Sequence, residues 1–412
     1  MVRCGGILRV GEIVSIDVAA VRADTPGCEN VLHLNNAGAS LPPTAVLERV
    51  KTHLDLEAAM GGYEAEDSVA EEYQSIYRSI ARMLGCTASE IALVENATRA
   101  WDAAFYALAE GFQPGDKILT ASNEYASNYL AFLQVVRQRG VEIVVVPNDP
   151  SGEISLTALE AAIRQDGERV KLMALTHVPT NGGLVQPAAA VGRIARRNHI
   201  PYLLDACQTA GQMPLRVEEL GCDMLAATGR KYLRGPRGTG FLYIRQSMLE
   251  RLEPTPIDMC SAEWSAREEY KLRQDARRFE ISGGSVACQL GLGVAIEYAM
   301  AVGLDNIAAR VAMLAEQLRE KLAKIPGVTV RDLPGSGSRP RCGIVTFTHE
   351  VHNARAIVAT MHEQRINVRV TGVGSTRIDM EQRGLTAMVR ASVHYYNTEQ
   401  EIARFANAVA AL

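Results

Sequence analysis

One lysine of the chain, Lys231, lies where a primary amine could do covalent chemistry. It belongs to the segment ATGRKYLRGPRGTGFLYI (226–243), between a short apolar run and a glycine-rich one. Asp205 precedes it by twenty-six residues and ends the apolar run of YLLDACQ. Pyridoxal 5'-phosphate (PLP) requires an amine that forms a Schiff base with its aldehyde and an acid that keeps its pyridine nitrogen protonated. The pair therefore predicts PLP as the cofactor, with Lys231 and Asp205 as catalytic residues.

The phosphate group of such a cofactor would need N–H donors and positive charge near that lysine. The turn ENATR (95–99) follows an apolar run and precedes a helical stretch, so its backbone amides and the Thr98 hydroxyl could bind phosphate. The same turn could act only as a helix cap, because Asn and Thr cap helices commonly. Thr228 and Arg230 flank Lys231 and could add a hydroxyl and a charge, although Arg230 could equally be a surface residue.

Further side chains could contact the cofactor ring. Tyr125, in ASNEYASNY, could stack on the face of the pyridine, or it could simply pack in the core. Gln208, in DACQ, could donate to the phenolic oxygen. His177 closes the apolar run of LTHVPTNGGLVQP and could be an acid/base group or a satisfied structural residue. The Thr, Asn and Gly of that turn favour close approach of the backbone to a ligand.

An amino-acid substrate presents a carboxylate, which a bidentate arginine binds best. Arg390 is the candidate for this role, because it lies on the short apolar strand of MVRASVHYYNT, where an unpaired charge would be costly. A structural ion pair is the alternative interpretation of this arginine.

The segments that must position these residues alternate between short β-rich runs and helical stretches from about residue 90 to 245. This alternation predicts a mostly parallel sheet covered on both faces. Ligands of such sheets bind at the carboxyl ends of the strands, and Ser122, His177, Asp205 and Thr228 all end or follow predicted strands. The predicted strands are Ile91–Val94, Lys117–Thr120, Glu142–Val146, Lys171–Thr176, Pro201–Asp205, Met224–Ala227 and Gly240–Ile244.

A second, smaller α/β unit is predicted to follow. Apolar residues spaced by three and four between residues 303 and 325 indicate one face of a long helix. A glycine, serine and proline linker (333–340) comes next. The remaining predicted elements are a strand over Gly343–Thr348, a helix near Ala354–Gln364, a strand over Ile366–Val370 and a last helix from about Glu399, with Thr398 as its N-cap.

Length and composition limit the possible classes. A chain of 412 residues favours two or three domains, and we divide it into an N-terminal segment (1–32), a large domain (33–290) and a small domain (291–412). The net charge of -4 gives no support for nucleic-acid binding, and no apolar run approaches the roughly 20 residues of a membrane helix. The N-terminal residues do not predict a secretory signal. No metal site is predicted either, since the eight cysteines lack metal-ligand spacing. Scattered, reduced thiols are typical of a cytoplasmic protein.

Taken together, the segments resemble the class-V aminotransferase family, the fold-type I PLP enzymes that include cysteine desulfurases, selenocysteine lyases and isopenicillin-epimerase-like proteins. The resemblance extends from LNNAGASLPP (34–43) to RASVHYYNT (390–398). Between these ends lie the NAT turn, a strand-end aromatic, THVPTNGGLVQP, LLDACQ, the Thr-Gly-Arg-Lys segment and RRFEISGGS, in that order. The resemblance implies the α/β fold of fold-type I PLP-dependent transferases, with a seven-stranded sheet in the large domain and a smaller C-terminal α/β domain.

The resemblance also implies roles for individual residues. Lys231 would be the Schiff-base lysine, Asp205 the partner of the pyridine nitrogen and Gln208 the partner of the cofactor hydroxyl. Ala97, Thr98, Thr228 and Arg230 would surround the phosphate, while Arg390, Asn181, Ala37 and Gly38 would bind substrate. The family is dimeric, and a partner segment like residues 281–286 would complete the phosphate site.

The chain departs from the desulfurase pattern at several positions. Tyr125 stands where desulfurases stack a histidine, and Arg230 stands where they have a histidine before the lysine. The usual threonine of the partner segment falls on Gly283, so Ser282 or Ser285 would have to replace it. The nucleophilic cysteine is missing, because the segment before Arg390 reads RVTGVGSTRIDMEQRGLTAMVR. The THVPTNGG and STRIDMEQRGL patterns are closer to the epimerase-like and sulfoxide-lyase-like branch.

Several reactions could follow once substrate has formed an external aldimine and Lys231 has removed its α-proton to give a carbanion. We favour β-elimination from a cysteine-derived substrate, a C–S lyase reaction that needs no nucleophilic cysteine. Aminotransferase and epimerase or racemase reactions are the alternatives, and a cofactor-binding protein without turnover or a PLP-dependent regulator ranks lower. Tyr125, His177, Arg377 and Asp379 are candidates for the second acid/base group or for substrate contacts.

Overall fold

A computed structural model describes residues 16–337 and 341–412 of the chain. The first part of the predicted N-terminal segment and the end of the predicted linker lie outside the described residues. The strands are β1 (Leu32–His33), β2 (Ile91–Val94), β3 (Lys117–Ala121), β4 (Glu142–Val146), β5 (Val170–Thr176), β6 (Tyr202–Asp205), β7 (Met224–Thr228), β8 (Gly240–Ile244), β9 (Ala262–Ala266), β10 (Glu269–Leu272), β11 (Val328–Val330), β12 (Ile344–His349), β13 (Ile366–Asn367), β14 (Arg369–Gly372) and β15 (Ala387–Ser392).

Helices connect most of these strands. They are α1 (Val18–Ala23), α2 (Thr44–Met60), α3 (Gly62–Ser68), α4 (Ala70–Leu84), α5 (Ala97–Ala109), α6 (Ala126–Arg139), α7 (Leu156–Asp166), α8 (Ala188–Arg197), α9 (Val217–Leu220), α10 (Gln246–Leu249), α11 (Val286–Val302), α12 (Leu304–Leu322), α13 (Ala354–Glu363), α14 (Arg377–Gln382) and α15 (Glu399–Ala410).

The larger sheet has seven strands in the order β2-β8-β7-β6-β5-β3-β4. β8 runs antiparallel to β2 and β7, and the other neighbouring pairs are parallel. Each strand predicted for this region matches an observed strand to within one residue at either end. The predicted α/β fold with a mostly parallel seven-stranded sheet is therefore confirmed.

Both faces of this sheet are covered, which explains its near-continuous apolar strands. On one face, Trp101 and Phe105 of α5 pack their rings against Phe132 of α6. Leu203 of β6 belongs to that apolar cluster, whereas its neighbour Leu204 belongs to the cluster on the opposite face. Adjacent strand residues therefore enter different cores, and neither position can be polar without a burial cost.

The strand order creates a crevice at the carboxyl edge of the sheet. β3 lies between β4 and β5, whereas β5 also contacts β6, so successive strands are added in opposite directions on the two sides of β3. Loops that leave β3 and β5 diverge at such a reversal, and ligands bind in the gap between them. Residues 122–125 follow β3 and His177 follows β5, so both segments flank this crevice.

The smaller sheet has four antiparallel strands in the order β11-β12-β15-β14. α12 packs on β11, β12 and α15, and α13 packs on β14 and β15. Thr398 caps α15 as predicted, because its hydroxyl accepts from the Glu401 backbone while the Glu401 carboxylate accepts from the Thr398 backbone. The smaller α/β unit is confirmed. The proposed boundary at residues 290/291 falls within α11, and the division into domains stays a prediction.

The chain enters the large domain by way of the small one. β1 pairs in parallel with β13, Leu32 standing opposite Ile366, and Asn35 forms an isolated bridge with Ser392. The Ala37 carbonyl then accepts a hydrogen bond from the Gln208 side chain, so this segment crosses from the small sheet to the crevice. No single helix of residues 16–337 and 341–412 is both long and apolar enough to span a membrane; α11 and α12 pass that test only together, with a bend of 78° between them.

One carboxyl group outside the crevice has an unusual environment that affects stability. Glu280 lies in the RRFEISGGS motif, and its Oε1 accepts from the Leu93 backbone and the Tyr77 hydroxyl, each at 2.8 Å. Burial raises the pKa of this carboxyl to about 7, against the lowering effect of its hydrogen bonds and of Arg277. The folded protein therefore holds a proton on Glu280 at pH values where the unfolded chain has lost it.

We predict that Glu280→Gln removes a pH dependence from the free energy of unfolding. A carboxyl whose pKa is raised in the folded state stabilises the protein below its ordinary pKa near 4.5, and this contribution is lost as pH rises towards about 7. The wild type should lose at most about 1.4 kcal/mol per pH unit over that window relative to the variant. Urea unfolding between pH 5 and 8 measures the difference. Glu268→Gln, at an exposed position, is the control, and parallel curves for all three proteins would contradict the prediction.

Candidate active site

The candidate site forms where the carboxyl ends of four sheet strands meet one strand of the small domain. Asp205 is the last residue of β6 and stands opposite Thr176, the last residue of β5. Thr228 ends the neighbouring strand β7, and the turn after it carries Lys231. Arg390 comes from β15 of the small sheet. The sheet topology therefore gathers residues that are far apart in sequence.

Asp205 is a buried carboxylate without a cation from the protein. Its side chain belongs to a residue that is 5% exposed. Oδ1 accepts from the Cys207 backbone at 2.8 Å, and Oδ2 accepts from Asn128 Nδ2 at 3.0 Å. Among residues 16–337 and 341–412, no lysine or arginine lies within ion-pair distance of it. A buried carboxylate usually has a cationic partner. The protonated nitrogen of a PLP ring has the charge to be the partner of Asp205.

Lys231 is partly buried on the turn after β7, within the electrostatic reach of Asp205. Burial lowers the pKa of its amine, while the Cys207 thiol and the Asp205 carboxylate oppose that shift. The positive charges of Arg230 and Arg390 lower the pKa further. A lowered pKa favours the neutral amine, which is the form that reacts with an aldehyde.

The predicted phosphate residues lie around the start of α5. Asn96 is the N-cap of this helix, with its Oδ1 accepting from the Arg99 backbone at 3.0 Å, so the capping interpretation is confirmed. Capping does not exclude phosphate binding, because the first backbone amides of a helix have no intrahelical acceptor. Ala97 is buried at this end and Thr98 is exposed. Close approach of β8 requires Gly240 here, since a Cβ at that position would lie 2.9 Å from the Asn96 backbone.

Thr228 and Arg230 already have partners on the protein. The Thr228 hydroxyl donates to the Thr239 carbonyl at 3.2 Å. One guanidinium nitrogen of Arg230 donates to the Gly38 carbonyl. Burial lowers the pKa of Arg230, which forms no ion pair within the described ranges. Its remaining donors are therefore available to an anion such as phosphate.

Tyr125, His177 and Gln208 follow the carboxyl ends of β3, β5 and β6. Tyr125 is partly buried at the start of α6, and the pKa values of both Arg230 and Arg390 are sensitive to its hydroxyl. His177 is buried, and its backbone N–H donates to the Asp205 carbonyl at 3.0 Å. Gln208 Nε2 donates to the Ala37 carbonyl at 3.1 Å. These placements agree with contacts to a ring held by Asp205.

Arg390 has the surroundings of an anion-binding residue. It is 8% exposed, it donates through Nη1 to the Thr180 hydroxyl, and its Nε has no partner within the described residues. Burial, together with the charge of Arg369 directly opposite on β14, lowers the pKa of Arg390 to about 10. Like charges opposite each other destabilise a sheet, so a bound carboxylate would relieve this arrangement. Arg390 forms no ion pair with any residue that the structure describes, so the structural ion pair considered for it is not observed.

Other predicted site residues lie away from this cluster or are engaged elsewhere. Asn181 Nδ2 donates to Thr376 Oγ1 at 2.9 Å, and Asn181 therefore ties the THVPTNGG turn to the small domain. Arg377 is exposed and pairs with Glu381 at 2.7 Å. The Ser282 backbone donates to Asp258 at 2.7 Å, and its side chain is exposed with no link to Lys231 in the same chain.

The sequence reasoning missed residues that the structure places at the site. Thr180, next to the predicted Asn181, is the residue that contacts Arg390. Cys207 lies beside Lys231 and Asp205, and burial followed by the Asp205 charge raises the pKa of its thiol. Glu124 and Asn128 lie behind Asp205. Their polarity after an apolar strand was a usable signal, but it did not reveal that their side chains point towards Asp205.

The geometry defines a class of protein, the PLP-dependent enzymes with a large α/β domain and a small domain that contributes an arginine. Comparison with known proteins then gives the family. The family model for aminotransferase class-V matches residues 32–405, so the chain belongs to the class-V aminotransferase family. It is a PLP-dependent enzyme, a lyase or a transferase, that acts on amino acids.

Similar proteins agree in fold and in name. A probable cysteine desulfurase of Pyrococcus abyssi is 27% identical over 93% of this chain and 95% of its own length. The apo structure of a cysteine desulfurase from Thermococcus onnurineus superposes with a TM-score of 0.89 at 26% identity, covering 97% of this chain and 98% of its own. A cystine C–S lyase in complex with cysteine persulfide has a TM-score of 0.82 at 25% identity, covering 94% and 99%. The predicted family and fold-type I architecture are confirmed.

We predict that Lys231→Ala abolishes the absorbance of lysine-bound PLP and all turnover, because no other amine takes its place at the end of β7. Absorbance spectra of protein purified with excess PLP measure the first effect, and an amino-acid assay measures the second. Lys51→Ala, which removes an exposed lysine, is the matched control. A variant that kept the bound chromophore would show that another residue holds the cofactor.

We predict that Arg390→Lys raises KM for amino acids by about tenfold to a hundredfold without changing PLP affinity. The loss of the bidentate fork at a buried site costs about 1.4 to 3 kcal/mol of carboxylate binding. Steady-state kinetics and PLP titration separate the two quantities. Arg377→Lys should leave both unchanged, because Arg377 is exposed and paired with Glu381. An equal loss of substrate and PLP affinity in the Arg390 variant would contradict the carboxylate role.

Proposed function

We propose that this chain is a C–S lyase that eliminates a sulfur group from the β-carbon of a cysteine-derived amino acid without a nucleophilic cysteine. The relatives named as cysteine desulfurases and the similar cystine C–S lyase support C–S bond cleavage. The observation that carries the proposal is the composition and packing of the segment between β14 and β15, where desulfurases have their cysteine.

That segment contains no cysteine and is held against the large domain. The Ala126 backbone donates to the Ser375 carbonyl at 2.9 Å, and the Asp379 backbone donates to the Ser122 carbonyl at 3.1 Å. Asp379 also pairs with Arg383 at 3.0 Å, which makes it a structural residue. A helix, α14, therefore occupies the place where a sulfur relay would need a mobile loop.

Cys207 does not replace the missing nucleophile in this proposal. The thiol lies beside the Asp205 carboxylate, and both burial and that negative charge raise its pKa. The thiolate is the nucleophilic form of cysteine, so Cys207 is held in its unreactive form. The buried Cys342 is enclosed further away, since its backbone bonds to Gly183 and Arg319.

The chain's own residues divide the work of elimination. PLP, when bound, supplies stabilisation of negative charge at the α-carbon of an amino acid. Arg390 and Thr180 hold the substrate carboxylate, Lys231 in its neutral form takes the α-proton, and Asp205 keeps the ring nitrogen protonated. The Tyr125 hydroxyl, whose influence reaches Arg390, is the candidate donor of a proton to the departing sulfur.

We also propose a homodimer in which residues 281–286 of one chain complete the phosphate site of the other. Ser282 is exposed in the single chain, and the bond from its backbone to Asp258 fixes the position of the segment. Ser285 is less available, because its hydroxyl caps α11 by accepting from the Cys288 backbone at 3.3 Å. The adjoining hairpin of β9 and β10 exposes Trp264, a side chain that monomers usually bury.

We predict that the enzyme with bound PLP converts L-cystine and water to cysteine persulfide, pyruvate and ammonia without an added keto acid, because elimination needs no acceptor. Product analysis by chromatography decides among the reactions. Dependence on a keto-acid acceptor would indicate transamination, and alanine in place of pyruvate would indicate desulfuration.

We predict that Cys207→Ala retains at least about half of this activity, as does the control Cys86→Ala, which changes a partly buried cysteine outside the site. The reason is that elimination uses no thiol from the protein. Loss of activity in the Cys207 variant alone, together with a persulfide on Cys207 in the mass spectrum of the wild type, would contradict the proposal.

A further inference from the structure

A second buried carboxylate, Glu124, lies behind Asp205. It is 3% exposed and occupies the loop between β3 and α6. Its Oε2 accepts from Thr120 Oγ1 at 3.0 Å and from the Thr176 backbone at 3.1 Å. Its Oε1 accepts from the Tyr125 backbone at 3.0 Å, from Asn128 Nδ2 at 2.8 Å and from the Thr176 hydroxyl. One side chain therefore joins the ends of two strands to the start of a helix.

The donors around Glu124 fix it as a carboxylate. Backbone N–H groups and the NH₂ group of asparagine can donate but cannot accept. A protonated Glu124 would have to donate to one of the two threonine hydroxyls and release it from its present bond. Burial raises the pKa of Glu124, and the charge of Asp205 adds to this effect, whereas the bonds from Thr176 and Asn128 lower it. No cation lies within ion-pair distance of Glu124 in the described parts of the chain.

Asn128 connects the two carboxylates through one amide group. Its Nδ2 donates to Glu124 Oε1 at 2.8 Å and to Asp205 Oδ2 at 3.0 Å. Both amide hydrogens are used, so the orientation of Asn128 is determined by its neighbours. The opposite orientation would point the amide oxygen at two carboxylates and would remove one donor from each of them.

We infer that Glu124 and Asn128 are positioning residues that aim the Asp205 carboxylate at the PLP ring nitrogen, and that Glu124 sets Tyr125 beside the same ring. This inference rests on the assignment of Asp205 in the proposed function. It gives the loop after β3 and the start of α6 a positioning role in addition to the residues that bind PLP and substrate.

The charge balance gives the arrangement its effect on the cofactor. Two carboxylates, Glu124 and Asp205, share a buried region in which neither forms an ion pair with a lysine or arginine of the described residues, and Lys231 acts on Asp205 only at longer range. A protonated pyridine nitrogen would add a positive charge there, and both carboxylates would stabilise it. Removal of the Asn128 donors would favour protonation of one carboxyl group, and the ring nitrogen would then be protonated less strongly.

The inference is tested with PLP labelled with ¹⁵N in the ring and with two variants of Asn128. Asn128→Asp keeps the shape of the side chain and removes both donors, whereas Asn128→Ala removes the donors without adding charge. Both should weaken PLP binding to apo protein by about tenfold or more, as loss of an outer-shell partner does at metal sites. Both should also move the ¹⁵N resonance towards that of neutral pyridine.

A matched control separates this role from local damage. Asn123→Ala removes a buried amide from the same loop, whose Oδ1 accepts from Gln186 at 2.9 Å and which forms no hydrogen bond with Asp205. It should leave the ¹⁵N resonance and PLP affinity unchanged. Glu124→Gln, which turns an acceptor into a donor that faces other donors, should reproduce the shift of the Asn128 variants.

The outcomes distinguish this inference from the proposed function. An unchanged ¹⁵N resonance and unchanged PLP affinity in both Asn128 variants would overturn the inference. If Asp205→Asn also had no effect on the resonance, the assignment of Asp205 itself would fall. A product other than pyruvate would overturn the lyase proposal and leave the resonance result intact.

Discussion

The site depends on a negative charge that the fold buries and does not neutralise. Asp205 ends an apolar strand in the middle of a covered sheet, and its oxygens receive hydrogen bonds but no protein cation. Such a group is unfavourable unless something positive occupies the crevice. A pyridine nitrogen can be that positive group only while it is protonated. The burial of Asp205 therefore favours the protonated cofactor and, through it, the chemistry at the α-carbon.

The position of Lys231 is set by residues on both sides of the crevice. Three residues later, Arg234 is fully buried in a left-handed conformation with φ of 62°. This conformation is uncommon for a residue other than glycine. Arg234 donates to Leu41 O at 2.8 Å and to Tyr395 Oη at 2.7 Å, and its guanidinium lies 4.7 Å from the centroid of the Tyr396 ring. These contacts tie the lysine turn to both the N-terminal crossing and the small domain, so the distance between Lys231 and Arg390 is constrained.

The sequence predicted most of the fold because the strands carry local signals. Apolar runs of four to seven residues, several of them ending at or followed by a polar residue, locate the sheet and its carboxyl edge. Lys231, Asp205 and Arg390 could be predicted for the same reason, since each follows or interrupts such a run. Asn181 and Thr180 could not be told apart in this way. They are adjacent in a turn whose backbone direction decides that Thr180 contacts Arg390 and Asn181 contacts Thr376. Glu124 was missed because its partners lie on β3, β5 and α6, and no spacing in the sequence brings those elements together.

The departures from the desulfurase pattern have a common physical consequence. A cysteine that relays sulfur needs a mobile loop and a low thiol pKa. In this chain an anchored helix, α14, lies in the segment where desulfurases have that loop, and burial together with the Asp205 charge keeps the Cys207 thiol protonated. Tyr125 stands where the desulfurase pattern has a histidine, so this position carries a phenol hydroxyl in place of an imidazole. A site built in this way can release sulfur on a small molecule but has no protein group ready to receive it. The packing of the segment between β14 and β15 and the environment of Cys207 therefore support the proposed elimination, although they lie in different segments of the chain.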